Sequence, residues 1–220
     1  MTEPRSGDRE AGYRYGLVLL LAFVLVVFQV LTSGGDWSRA VVVALQGAAL
    51  IVVIATSRER SEVRHARATA VGIGALLVVA GVAAGVVPDN VAFLVIAVLN
   101  AAIPLSLVTG LLRLVRSRGV TVQAVAGALA IYLLVGLLFA AVIGFVARVD
   151  HAAYFAQGTD GSSSDRVYFS FTVLTTTGFG DFTAATTVGR AIAVIEMLLG
   201  QIYLVTVIGI LVGNLARRQS

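Results

Sequence analysis

The sequence predicts an all-α membrane protein with six transmembrane helices. Of its 220 residues, 58% are hydrophobic and 13% are charged, whereas a soluble domain is about 45–50% apolar and about 25% charged. The apolar residues fall into six runs of the length that a helix needs to cross a hydrocarbon core of about 30 Å. These runs lack the alternation of barrel strands, and a helix satisfies its own backbone in lipid. The composition therefore excludes an ordinary soluble enzyme and a disordered chain.

The apolar runs set the predicted boundaries of the chain. The six spans cover residues 15–32, 37–56, 68–87, 91–112, 121–146 and 188–215. Short polar turns connect the first run to the second and the third to the fourth. We therefore expect an N-terminal segment at 1–14, a four-helix domain at 15–118 and a second domain at 119–216.

The arginines predict the orientation. All 16 basic residues are arginines, and twelve of them flank the spans on the side that holds both termini. By the positive-inside rule, both termini are cytoplasmic and the protein is a multi-pass protein of the cell membrane. This distribution accounts for the pI of about 10.0 without a nucleic-acid partner. The opposite side carries six aspartates that would concentrate cations there: Asp36, Asp89, Asp150, Asp160, Asp165 and Asp181.

The segment between the last two spans has a different composition. A polar loop at 158–165 precedes a semi-apolar stretch at 167–176, which is too short to span but suits a re-entrant helix. The stretch ends within a run of three threonines at 175–177, and the sequence Gly-Phe-Gly-Asp follows. Glycines allow backbone angles at which successive carbonyls point toward one axis, and a ring of such carbonyls can replace the hydration shell of an alkali cation. The hydroxyl of Thr176 would add another oxygen layer.

Residues 176–181 resemble the selectivity filter of potassium channels, whose usual form is Thr-Val-Gly-Tyr-Gly-Asp. The matching residues are Thr176, Thr177, Gly178, Phe179, Gly180 and Asp181. Thr177 stands in place of valine and Phe179 in place of tyrosine. The resemblance covers residues 121–215 and indicates the six-helix prokaryotic type. It implies an outer helix at 121–146, a pore helix at 167–176 and an inner helix at 188–215.

The same resemblance implies the partners and ligands. One filter segment per chain cannot enclose an axis, so we expect a homotetramer, with three identical partner subunits, in contact with membrane lipids. Potassium ions would bind at Thr176, Thr177, Gly178 and Phe179, with Gly180 completing the filter, and no organic cofactor is implied. The chain has no cysteine and no clustered histidines, so neither a catalytic set nor a metal cluster is expected, and the protein is not an enzyme.

Five residues are predicted to support the filter. In the resembled family, an aromatic at the position of Tyr168 hydrogen-bonds the acid after the filter, here Asp181; the alternative is an interfacial tyrosine and a solvated aspartate. Thr172 and Thr175 lie on the pore helix. Some members of the resembled family carry a glutamate at the position of Thr172, and the slow inactivation linked to that glutamate is therefore not expected here. Glu196 is an acid in the middle of a span. We expect it to hydrogen-bond the pore helix at Thr172 or Thr175, with direct ion binding as the alternative.

The inner helix carries the gating candidates. Gly200 follows Arg190 by the spacing at which the resembled family places a hinge glycine, but close helix packing explains a glycine there equally well. Further candidates lie at the predicted inner end, where apolar side chains could form a constriction that gates by dewetting. They are Ile208, Gly209, Leu211, Val212 and Gly213.

The fourth run indicates that the first four helices are not a voltage sensor. Residues 91–112 contain no arginine, and Arg113, Arg116 and Arg118 follow at the cytoplasmic end. Because the connection to the fifth run is short, we expect the four-helix domain to pack on its own pore domain. Three other functions stay open: a non-selective monovalent cation channel, a potassium transporter, and a membrane sensor or scaffold with a vestigial pore.

Overall fold

The computed structural model describes residues 6–32, 36–56, 89–150 and 152–217, which are mostly helical. The predicted span at 68–87 lies outside the described residues. The helices are α1 (Ser6–Leu31), α2 (Asp36–Thr56), α3 (Asp89–Arg118), α4 (Val122–Val149), α5 (Ser163–Leu174), α6 (Thr187–Ile202) and α7 (Gly209–Arg217), with a π-helical segment at Tyr203–Ile208 between α6 and α7.

Two helical stretches within the described ranges are long and apolar enough to cross a membrane. They are Val122–Val149, which is α4, and Thr187–Asn214, which runs through α6, the π-helical segment and most of α7. A shorter apolar stretch, Tyr15–Leu31, lies in α1. These two stretches coincide with the predicted fifth and sixth spans, while the count of six stays a prediction.

Several helix boundaries differ from the apolar runs that predicted them. Helix α1 begins at Ser6 and not near residue 15, and α3 continues through Arg118 and not only to residue 112. Arginine and glutamate are good helix formers, so these helices extend beyond their apolar parts. The connection to α4 is therefore shorter than predicted. Helix α4 begins just after Thr121, whose hydroxyl accepts a hydrogen bond from the Ala124 N–H at 3.3 Å.

Helix α4 is the centre of the packing. It contacts α1, α3 and α5, while α1 also contacts α2 and α5. Leu25, Ile103 and Leu134 are completely buried between these helices. At the far end of α1, the Ser164 hydroxyl of α5 donates to the Val30 carbonyl oxygen at 2.5 Å. Helices α1 and α3 thus pack against α4 of the same chain.

A second apolar cluster packs the loop between α4 and α5 against the residues that follow the filter segment at 176–181. Phe155 pairs through its backbone with Thr159 and with Ala184. Its ring packs edge-on against Phe169 of α5 at 5.2 Å and against Phe182 at 4.9 Å. Aromatic edge contacts of this kind have specific geometry, so the cluster fixes the loop relative to α5.

The inner helix is not a continuous α-helix, which the sequence did not indicate. Its π-helical segment begins at Tyr203, whose hydroxyl donates to the Ala128 carbonyl oxygen of α4 at 2.8 Å. The Thr206 hydroxyl donates to the Ile202 carbonyl oxygen in the same segment. Segments of this kind occur mostly as single turns within α-helices and often at functional sites.

Candidate functional site

The short helix α5 begins earlier than predicted because a capping box starts it. The Ser162 hydroxyl accepts a hydrogen bond from the Asp165 N–H at 3.2 Å, and Asp165 Oδ2 accepts one from the Ser162 N–H at 2.7 Å. This reciprocal pair satisfies two backbone donors at the helix start. Residues 163–165, predicted to be loop, are therefore the first turn of α5. The helix ends at Leu174, and Thr175 is its C-cap. The predicted helix continued to residue 176.

The segment after α5 turns back on the last turn of that helix. The Thr172 carbonyl oxygen accepts hydrogen bonds from the N–H groups of Thr177 at 2.9 Å and Gly178 at 3.1 Å. The Thr176 N–H donates to the Val173 carbonyl oxygen at 2.9 Å. These bonds occupy backbone donors. Within the described part of the chain, no hydrogen bond ends on a backbone carbonyl of residues 176–180, so these oxygens are available as ligands.

The filter segment has a backbone in which the sign of φ alternates. The φ angles are +57° at Thr176, +51° at Gly178 and +84° at Gly180, while the residues between them are not in the positive region. In an ordinary extended strand successive carbonyls point to opposite sides, and reversing φ at every second residue turns them to one side. This is the conformation that a stack of carbonyl rings around an ion requires.

Thr176 is strained in this segment. It is the one non-glycine residue with a positive φ among the residues that the structure describes. For a β-branched side chain this conformation is an outlier and costs on the order of 1–3 kcal/mol. Its hydroxyl donates to the Thr175 carbonyl oxygen at 2.7 Å. Such strain persists where the surrounding structure imposes it, which is typical of functional sites.

Tyr168 and Asp181 meet at the outer end of this segment. A hydrogen bond with the Asp181 carboxylate raises the pKa of the Tyr168 hydroxyl above its ordinary value. The Tyr168 ring also stacks on Phe179, with the ring centroids 6.3 Å apart and the planes 5° apart. The predicted brace between Tyr168 and Asp181 stays a prediction.

Gln157 is a second contact at the C-terminal end of this segment, and no motif in the sequence pointed to it. Its side-chain amide donates to the Asp181 carbonyl oxygen at 2.7 Å and accepts from the Thr183 N–H at 3.4 Å. Gln157 lies in the loop before α5 and so ties that loop to the chain after the filter. Only the folded loop brings the two together.

Arg166 fixes the start of α5 against α4. Its side chain is buried beside Gly144, and Nη1 donates to the carbonyl oxygens of Gly161 at 2.6 Å and Asp160 at 3.2 Å. Burial, together with the nearby charge of Arg148, lowers the pKa of Arg166 to about 10, against the opposing effect of Asp160. The guanidinium therefore stays charged at neutral pH and holds the loop carbonyls.

Gly200 lies against the end of α5. A Cβ atom at this position would be 2.3 Å from the Leu174 carbonyl oxygen and 2.9 Å from Leu174 Cδ1. The same carbonyl accepts a hydrogen bond from the Tyr132 hydroxyl of α4 at 3.3 Å. Of the two interpretations of Gly200 left open by the sequence, this geometry favours close packing.

Glu196 contacts the pore helix through a residue other than the ones predicted. Its Oε1 lies 2.5 Å from the Ser170 hydroxyl, and both side chains are completely buried. The predicted partners bond elsewhere: the hydroxyls of Thr172 and Thr175 donate to carbonyl oxygens of their own helix, at 2.8 Å and 2.6 Å. The prediction of Thr172 or Thr175 was therefore wrong, since Ser170 is on the face of α5 that meets α6.

The gating candidates lie in different environments. Leu211 is buried in its own chain, so its predicted place in an apolar constriction is wrong. Ile208 is half-buried against the same core. Gly209 and Val212 are exposed on the single chain, which leaves them available to face a pore.

The comparison with known protein families identifies the region that carries this site. Residues 131–217 match the family model described as an ion channel. The match begins in α4 and includes the filter segment and the whole inner helix, so this part of the chain is similar to ion channel domains.

The match supports the resemblance to the potassium channel family that the filter sequence indicated. Comparisons with curated proteins and with solved structures gave no match.

Proposed function

We propose that the chain assembles as a homotetramer whose central pore conducts potassium ions passively across the cell membrane. The observation that carries the proposal is the alternating sign of φ at Thr176, Gly178 and Gly180. Together with the free carbonyl oxygens of this segment, it fits a column of oxygen sites for a dehydrated alkali cation. The threonine hydroxyls at its inner end add oxygen ligands of the same kind.

The exposure of the filter supports an assembly of several subunits around one axis. In the single chain, residues 175–181 are all exposed, and Phe179 is 68% exposed. A Cβ added at Gly178 or Gly180 would meet nothing within 4 Å. Because one filter strand cannot surround an ion, identical copies are the natural way to complete the ring.

The inner helix supports the same assembly. Of the most apolar 18 residues in Thr187–Asn214, only 11% are buried within the chain, compared with 50% for the corresponding part of Val122–Val149. Helix α4 is covered by helices of its own chain, whereas α6 leaves Val194, Leu198 and Ile202 exposed. In the tetramer, neighbouring inner helices and lipid cover this surface, and both termini lie on the cytoplasmic side.

Reduced potassium selectivity is the second candidate function, and two contacts favour it. The Thr177 hydroxyl, where the usual filter has valine, lies 2.9 Å from the Thr175 hydroxyl. Phe179 lacks the hydroxyl of the usual tyrosine and is held by stacking on Tyr168. Thr177 thus adds a polar contact that valine lacks, and Phe179 removes the hydrogen bond of the usual tyrosine. A filter held by stacking at Phe179 adapts more easily to a smaller ion, which would reduce discrimination against sodium.

Flux from liposomes tests the main proposal. Liposomes that contain the purified protein and a potassium gradient should release potassium, and barium should block the release. The control is Gly178→Ala, which forces a side chain onto a residue with a positive φ and should abolish flux without dissociating the oligomer. Absence of barium-sensitive flux from the wild type would overturn channel activity and favour the sensor or scaffold.

Two further measurements test the assembly and the selectivity. Native mass spectrometry of the purified protein should give four copies of the chain, and any other number would contradict the tetramer. Reversal potentials in mixed potassium and sodium should follow the potassium gradient. Equal permeability would replace potassium selectivity with the non-selective function.

Orientation can be tested directly because the chain contains no cysteine. A single cysteine placed near either terminus should react with an impermeant thiol reagent only from the cytoplasmic side of the membrane. A cysteine at Ser163, in the first turn of α5, should react only from the outside. The reverse pattern would contradict the topology proposed from the arginines.

A further inference from the structure

Glu196 lies where α4, α5 and α6 meet in a single chain of hydrogen-bonding groups. Ser170 Oγ is 2.5 Å from Glu196 Oε1 and 2.7 Å from the carbonyl oxygen of Gly136. A Cβ at Gly136 would be 2.7 Å from the Phe171 ring, so only a glycine allows α5 to approach the α4 backbone this closely. The serine hydroxyl thus connects the pore helix to the outer and the inner helices at once.

The number of hydrogen atoms decides the charge of this site. A serine hydroxyl has one hydrogen, while a backbone carbonyl and an ionised carboxylate are acceptors only. If Glu196 were ionised, one of the two short contacts of Ser170 would bring two oxygens together with no hydrogen between them. A protonated Glu196 supplies the missing hydrogen: its O–H donates to Ser170, and Ser170 donates to Gly136.

The other carboxyl oxygen supports the same state. Glu196 Oε2 is buried, and it has no hydrogen-bond partner among the residues that the structure describes. A charged oxygen without a partner in such a place costs far more free energy than the carbonyl oxygen of a neutral acid. Both oxygens therefore favour the protonated side chain.

We propose that Glu196, held as a neutral carboxylic acid by Ser170, positions the pore helix, and that its ionisation at alkaline pH stops conduction. The proposal rests on the channel function proposed above. Once ionised, Glu196 takes the Ser170 hydrogen from Gly136, which breaks the contact between α5 and α4. It also leaves a charge buried behind the filter, and water or a shift of the helix must then relieve it.

Among the residues that the structure describes, three groups on the elements packed against α6 interact with Glu196. Helix α5 contributes Ser170, α4 contributes Tyr132, and the loop before α5 contributes Tyr154. The Tyr154 hydroxyl donates to the Gly189 carbonyl oxygen at 3.4 Å, and burial raises the pKa of Tyr154, which keeps it neutral. On α6 itself, Arg190 uses Nε to donate to the Ala184 carbonyl oxygen at 3.1 Å.

The pH dependence of potassium flux tests the switch. Wild-type flux from liposomes should fall by about tenfold or more as the pH rises, because ionisation of Glu196 removes the buried hydrogen bond that ties α5 to α4. Glu196→Gln should conduct at neutral pH and lose this fall, since its amide donates to Ser170 but does not ionise. The matched control, Tyr154→Phe, should keep the fall. A wild-type fall in Glu196→Gln would overturn the switch.

Infrared difference spectroscopy tests the protonation independently of conduction. The wild type at neutral pH should give the C=O band of a protonated carboxylic acid, which disappears at alkaline pH and is absent from Glu196→Gln. Ser170→Ala should shift that band, because the acid loses its hydrogen-bond acceptor. A missing band at neutral pH would overturn the inference, whereas a band without flux would refute only the channel function.

Discussion

Replacing Gly200 with alanine tests whether this residue serves close packing or bending. The added methyl would lie 2.3 Å from the Leu174 carbonyl oxygen, a backbone atom that cannot rotate away. Normal contact needs a separation larger by about 1 Å, so α5 and the filter that follows it must move. Overpacking typically costs 1–3 kcal/mol, and alanine recovers about 1 kcal/mol of helix propensity.

The net expectation for Gly200→Ala is a loss of up to about 2 kcal/mol in stability, with loss of conduction. The assay is the thermal midpoint of the purified oligomer, measured beside potassium flux from liposomes. The matched control is Gly213→Ala in the same inner helix, where a Cβ meets nothing within 4 Å of its own chain. This control should be neutral or stabilising. If Gly200→Ala raised the midpoint and reduced only opening, the packing argument would fail and the hinge would be supported.

Three further outcomes follow from the outer end of the filter and from α3. Tyr168→Phe keeps the stack on Phe179 but removes the hydrogen bond to Asp181. That bond raises the pKa of Tyr168 above 10.0. Its stabilisation is therefore present below pH 10.0 and is lost as the pH rises through the raised pKa of the folded protein. Thermal midpoints across alkaline pH should therefore differ less from neutral pH in this variant than in the wild type, and equal curves would argue against the bond. Gln157→Ala should destabilise the filter and hasten the decay of current during sustained conduction. Gln157→Glu keeps an acceptor for the Thr183 N–H and should retain part of the wild-type time course. Identical decay in all three proteins would show that the contact is not needed. Conductance should depend only weakly on voltage, because residues 91–112 carry no arginine and each charge that crosses the field contributes ~2.3 kcal/mol per 100 mV; a steep conductance–voltage curve would contradict this.

The elements best predicted from the sequence were those with a strong local signal. The apolar runs located α4 and the inner helix, and the filter motif located the segment whose backbone alternates at Thr176, Gly178 and Gly180. The start of α5 was missed although Ser162 and Asp165 have capping-box spacing, because the surrounding serines and glycines read as a loop. That error came from composition outweighing a specific local pattern.

The contact of Ser170 with Glu196 and that of Gln157 with Asp181 could not be predicted in the same way. Choosing Ser170 over Thr172 or Thr175 requires knowing how α5 rotates against α6, and hydroxyl residues occur on several faces of that helix. Gln157 reaches Asp181 only because the Phe155 cluster folds the loop back. Contacts that depend on the relative placement of elements leave no signal in the spacing of residues.

The π-helical segment divides the inner helix into two parts with different rotational phase. A π turn holds about one residue more than an α turn, and each residue of an α-helix advances the side-chain direction by about 100°. Side chains that continue the filter-facing side of α6 in α-helical spacing therefore lie on a different side of α7. A scan of reagent accessibility along this helix should show the same period above and below Tyr203–Ile208, with a jump in phase between them. Removing one residue from the segment would bring the two halves into register and present a different set of side chains to the cytoplasmic mouth.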